Sequence, residues 1–207
     1  YQLAEAQKAG VRLELGVAAG MDDILALTPD EVVLATGAGM IWPTCLPKAL
    51  RADGIVQDLR SAMADILPHG RQPGTAVLFD QDHTDGTYCA ALALHQRFDR
   101  VVIITPRDTI AQDTYLTTKQ GILRRVHRLG IKLATLSELV WSESFENEAR
   151  LAYANVYTGE ERFVDDVAFL AYATPRAPDN GLAAPLRAAG LPVHQVGDAK
   201  VARGPMA

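Results

Sequence analysis

The chain has 207 residues, a formal net charge of −5 and 48% hydrophobic residues, enough for one large or two small domains around a buried core. Without a Lys/Arg stripe to displace counterions, an acidic chain of this kind is not expected to bind nucleic acid. Cys45 and Cys89 are too few for a disulfide framework and have no metal-ligand spacing; no apolar stretch approaches a membrane span and no basic-then-apolar leader opens the chain, so a reduced, cytoplasmic protein is expected.

Residues 1–9 read as a helix stopped by Gly10, which suits the left-handed position after a last turn. Alternation of apolar and charged residues predicts a strand over 11–15, and a short helix follows over 22–27. Thr28-Pro29-Asp30 leads into a β-branched run, 31–35, which ends in Ala35-Thr36-Gly37-Ala38. Small residues at a strand end let the backbone lie close against a ligand. Residues 39–74 are rich in Pro and Gly around one amphipathic helix near 55–67, as a crossover between domains would be.

A second unit begins with a continuous apolar strand, 75–79, an Ala/Leu-rich helix, 87–98, and another strand, 101–104, the βαβ opening of a dinucleotide-type domain. Helix 117–129 and strand 131–136 extend it, and 151–157 with 162–166 form a hairpin across Thr158-Gly159-Glu160. Strand 167–173 repeats the pattern of 32–38. Helix 182–189 and strand 193–196 lead to Gly197-Asp198. The expected class is α/β, a parallel sheet with helices plus a β-hairpin or meander.

Four stretches, VVLATGA (32–38), TAVLFDQDHTDGTYCAALALHQRFDRVVIITP (75–106), RRVHRLGIKL (124–133) and HQVGDA (194–199), occur in one order over most of the chain. Together they resemble the C-terminal portion of the NADH:flavin oxidoreductase family, of the 2,4-dienoyl-CoA reductase and trimethylamine dehydrogenase type. The resemblance implies Rossmann-like lobes of the glutathione-reductase type: a partial FAD/ADP lobe with its crossover linker over 1–70, an NAD(P)-like lobe over 71–175, and a return to the first lobe over 176–207. It further implies a piece of a longer polypeptide, lacking the first βαβ and the TIM barrel that carries FMN and an iron–sulfur cluster. Thr36, Gly37, Gly197 and Asp198 match the segments that bind FAD or ADP. No residue is assigned to catalysis or to a metal. A protein electron acceptor and a homo-oligomer are further expectations.

One turn departs from the family pattern. After strand 75–79 an NAD(P)H lobe should show G-x-G-x-x-G, which bares backbone amides to the pyrophosphate. The chain reads Asp80-Gln81-Asp82-His83-Thr84-Asp85-Gly86. Two like charges about 5 Å apart repel by roughly 3 kcal/mol at an effective dielectric near 20, so three carboxylates should exclude the coenzyme. Their charge should also favour the protonated form of His83. In this departure the chain resembles the family's amine-dehydrogenase branch, and that resemblance implies electrons leaving to a protein.

Two alternatives stand beside that reading. Asp80-x-Asp82-x-Thr84 after an apolar strand resembles the first motif of Mg²⁺-dependent haloacid-dehalogenase-type phosphatases, with Asp80 as nucleophile and Asp82 as acid/base. Against it, residues 199–203 lack the acidic residue expected after Gly-Asp. The other alternative is a non-catalytic interaction scaffold. The Arg cluster of helix 117–129 reads as a solvated face, or as one that meets an acidic partner or another domain.

Overall fold

The structure, a computed structural model, describes residues 1–202; the last five residues of the 176–207 segment lie outside it. The chain divides into two compact units, one of residues 1–38 with 178–202, the other of residues 39–177.

In the first unit, Val32–Leu34 and Val193–Gln195 form a parallel pair in the register Val32↔Val193 and Leu34↔Gln195. A small core of Leu34, Ala183 and Leu186 lies beneath, joined by Met21 and Ile24 of helix Met21–Ala26. Helix Gln2–Lys8 ends at Gly10 as expected, with φ +73°. The strand expected over 11–15 does not form. Its backbone joins no sheet and its side chains are exposed, because alternation makes a strand only where a ladder partner exists.

The second unit is built on a five-stranded parallel sheet in the order Gln57–Asp58, Val167–Ala173, Thr75–Asp80, Arg100–Ile104, Lys132–Ala134. Thr75–Asp80 is buried along its whole length, as a central parallel strand must be. Its side chains alternate between two cores. Ala76 and Leu78 pack with helices Leu59–Ile66, Asp85–His95 and Leu116–Arg128. Val77 and Phe79 face Leu139, Leu151 and Val164 of an antiparallel meander, Ser137–Val140, Leu151–Asn155 and Glu161–Val164.

The meander adds a strand, Ser137–Val140, and a short helix, Ser144–Glu148, to the expected hairpin. The segment 39–70 packs with this unit: Asp58 caps helix Leu59–Ile66 by accepting from the amides of Arg60 and Ser61, and Leu59, Ala62, Met63 and Ile66 enter its core. Trp42 and Trp141 join the meander side, against Tyr172 and Phe145. Among the described residues no helix is long and apolar enough to cross a membrane.

Candidate functional site

In a parallel sheet, ligands sit beyond the carboxyl ends of the strands. Each unit has such an edge, and the two are built differently.

At the edge of the first unit, Leu34 is followed within three residues by Thr36 and Gly37, and its register partner Gln195 by Gly197 and Asp198. All four expected site residues therefore follow the same ends of one parallel pair. Gly37 and Gly197 have φ of +81° and +58°, and a Cβ at either would meet nothing within 4 Å. Both positions are thus open backbone that a ligand can approach, and L side chains adopt their conformation poorly. Thr36 is exposed, but its hydroxyl donates to the carbonyl of Asp179, and the amide of Asp179 donates to the Gly37 carbonyl at 2.9 Å. The Thr36 side chain is thereby committed to holding the turn. Asp198 is half-buried in the 3₁₀ turn Gly197–Ala199.

The edge of the second unit is closed by its own residues. The amides of Gln81 and Asp82 donate to the Ala173 carbonyl at 2.7 and 3.1 Å, sealing the carboxyl ends of Thr75–Asp80 and Val167–Ala173. Asp82 then folds over the start of helix Asp85–His95. Its Oδ1 accepts from the Thr84 amide at 3.0 Å and the Thr87 hydroxyl at 2.8 Å, while Oδ2 accepts from the Thr84 hydroxyl at 3.1 Å. The Asp82 carboxylate thus stands just ahead of the helix, bonded to its N-cap residue Thr84 and to Thr87, beside the first-turn amides that a phosphate would use.

Asp80 and His83 are fully buried beneath this turn. Asp80 accepts from the Tyr88 hydroxyl at 2.6 Å and from the His83 amide at 3.0 Å. Tyr88 in turn accepts from the Ala111 amide at 2.5 Å. The His83 ring lies between Tyr88 and Thr105, with Nδ1 3.4 Å from the Tyr88 hydroxyl and Nε2 3.3 Å from the Thr105 hydroxyl. Burial pushes the Asp80 carboxyl up to about 6, against the hydrogen bonds that favour its ionised form.

Two expectations change here. Asp80 points inward, so of the three carboxylates expected to face a coenzyme only Asp82, half-buried, and Asp85, exposed, remain at the turn's surface. His83 is held below its ordinary value by burial and by Arg107, so its neutral form is favoured over the imidazolium the neighbouring acids suggested. The phosphatase assignment also meets an obstacle: both Asp80 oxygens are engaged within a sealed pocket, where no phosphorus centre can reach them. Among the described residues no group of three or more His, Cys, Asp or Glu side chains is placed to hold a metal ion.

The sequence reading missed Tyr88. Its signal was a lone Tyr on an Ala/Leu helix, because a buried phenol needs a hydrogen-bond partner and the nearest candidates were the turn's carboxylates.

No protein-family profile matches the chain, and no curated protein matches it by sequence. Solved structures do. 2-Naphthoyl-CoA reductase, in complex with 2-naphthoyl-CoA, aligns with a TM-score of 0.78 at 18% identity, over 98% of this chain and 29% of its own. Histamine dehydrogenase from Rhizobium sp. 4-9 aligns at 0.74 and 19%, over 98% of this chain and 31% of its own. Thioredoxin reductase of T. acidophilum aligns at 0.62 and 12%, over 86% and 59%. The fold is Rossmann-like α/β. The chain spans under a third of the length of the first two enzymes.

Proposed function

We propose that the chain is the nucleotide-binding region of a flavin-dependent oxidoreductase, with an adenine nucleotide, FAD or ADP, held at the carboxyl edge of the first unit. The observation that carries this reading is the convergence of Thr36, Gly37, Gly197 and Asp198 on the ends of one parallel pair. The residues fit such a ligand. Gly37 and Gly197 leave open space where a side chain would otherwise stand, and the Asp198 carboxylate can accept from ribose or ribityl hydroxyls. Bound there, the group supplies affinity and, as FAD, a redox centre. The protein's part is to orient it, through backbone at Thr36-Gly37 and through a carboxylate at Asp198.

The second unit takes no NAD(P)H on this reading, because the Asp82 carboxylate stands just ahead of helix Asp85–His95, bonded to Thr84 and Thr87, and the amides of Gln81 and Asp82 are spent on Ala173. Electrons then leave to a protein acceptor. An amine or related N-methyl substrate fits that route. Oxidation of the substrate, with FMN and an iron–sulfur cluster, belongs to a barrel outside this chain. The self-filled turn weighs against reduction driven by a nicotinamide coenzyme in this unit.

The absorbance spectrum of the full-length protein, with chromatography of the nucleotide released on acid denaturation, tests the proposal. Flavin absorbance and a released adenine nucleotide or FAD are expected, diminished in Asp198→Asn. A colourless protein releasing neither overturns it.

A further inference from the structure

The exposed cations of this protein are unevenly partnered. Lys8, Arg12, Arg71, Arg100, Arg107, Arg150 and Arg162 each stand beside an acid. Among the described residues the exposed Lys48, Arg51, Arg187 and Lys200 have no acidic partner either, but helix Leu116–Arg128 and the strand after it differ in gathering such cations on an acid-free stretch. Residues 114–137 carry Lys119, Arg124, Arg125, Arg128 and Lys132 without a single Asp or Glu, while the other fifteen Lys and Arg share the chain with all twenty-five acids. Arg124, Arg125, Arg128 and Lys132 are exposed, and none of the four has an acidic partner among the described residues.

Helical geometry gathers the arginines on one side. Ile122 and Val126 are buried against the sheet, so the opposite face presents Thr117, Gln120, Gly121, Arg124, Arg125 and Arg128. Gly121 leaves that face flat, with Arg125 Nη1 3.8 Å from where a Gly121 Cβ would stand. The helix runs back against the parallel strands, so its last turn and Lys132 lie at the amino edge of the sheet. That is the edge away from the nucleotide-type turn, and a coenzyme phosphate bound at the carboxyl edge would not reach it.

We propose that this face docks a carboxylate-rich patch of a partner protein. Charge complementarity carries the assignment. Arginine forks match carboxylates two bonds at a time, and three of the five cations are arginines. Thr117, Gln120, Gly121, Arg124, Arg125 and Arg128 offer no ring on which a base could stack, and the exposed apolar side chains nearby, Leu129 beside the arginines and Tyr115 and Leu116 at the helix's other end, form no continuous apolar face to enter a bilayer. A duplex or an anionic membrane would also extend past the helix onto a chain whose remaining formal charge is −10. A compact acidic patch meets the arginines alone.

Fluorescence anisotropy with the full-length protein tests this, using a labelled Asp/Glu dodecapeptide, a labelled DNA duplex, and phosphatidylserine-containing vesicles as probes. Saturable binding of the peptide is expected, weakening at least about tenfold between about 50 and 300 mM NaCl. Arg124→Ser/Arg125→Ser/Arg128→Ser should weaken it about tenfold or more, whereas Lys8→Ser/Lys48→Ser/Lys200→Ser leaves it within about twofold. If the triple arginine variant fails to fold, Arg128→Gln and Lys132→Gln replace it, with about a threefold loss expected from each. No saturable peptide binding, equal binding by the arginine variants and wild type, or tighter binding of the duplex or vesicles than of the peptide would each overturn the proposal.

Discussion

The two carboxyl edges of this protein start from the same plan and finish in opposite states. In the first unit, strands Val32–Leu34 and Val193–Gln195 end in exposed small residues, with open space where side chains would stand. In the second, strand Thr75–Asp80 ends in a turn whose own carboxylates, amides and imidazole fill it. A Rossmann-like crevice binds a nucleotide only if the protein leaves its amide donors unused. The turn that follows the strand end, through its side chains and its own amides, decides whether that happens.

The largest expected effect comes from breaking the filled turn. Tyr88→Phe removes the donor to Asp80 and the acceptor of the Ala111 amide, leaving two buried groups unsatisfied. A loss of about 4 kcal/mol is expected in urea unfolding. A loss under about 1 kcal/mol would show that the network does not close this edge.

Acidity probes the same place. Burial raises Asp80 from 3.8 in the unfolded chain to about 6 in the fold, so the folded state holds the proton more tightly. Stability should fall by about 3 kcal/mol as the pH rises from about 4 to about 6, and level off above that. His83 acts with the opposite sign, because its depressed value costs stability as the pH falls through about 6.5. The difference between wild type and Asp80→Asn isolates the carboxylate, and parallel pH profiles for the two would contradict its assignment.

Smaller effects sharpen the contrast. Asp82→Ala removes the acceptor of the Thr84 amide and of the Thr84 and Thr87 hydroxyls just ahead of helix Asp85–His95, and should cost about 1 kcal/mol in thermal unfolding. It should not create NADH binding by calorimetry, since the amides of Gln81 and Asp82 remain on Ala173. Gly37→Ala should cost about 1 kcal/mol through its positive φ alone, because its Cβ meets no protein atom. The same substitution should lower the nucleotide content of the full-length protein. Unchanged content would separate Gly37 from the ligand.

Most of the second unit was legible because its signals are local. The apolar runs at 75–79 and 101–104, the Ala/Leu helix between them and the Thr158-Gly159-Glu160 turn each declare their own structure. Residues 11–15 show the limit of such signals, since their alternation describes a strand but no ladder partner joins them. Ser137–Val140 was missed for a related reason: four residues gain strand character only from Leu151–Asn155 beside them. The acidic turn was recognised as a departure, but one-dimensional text could not show which carboxylates turn inward. That depended on Tyr88 reaching back to Asp80, and on burial setting the charge of His83 against its acidic neighbours.

Hydrogen exchange of the full-length protein, with and without added ADP, most directly compares the two edges. Protection confined to residues 34–38 and 195–199, with residues 80–88 unchanged, is the expected footprint. Slowed exchange at 80–88, with none at the first pair of strand ends, would contradict the account.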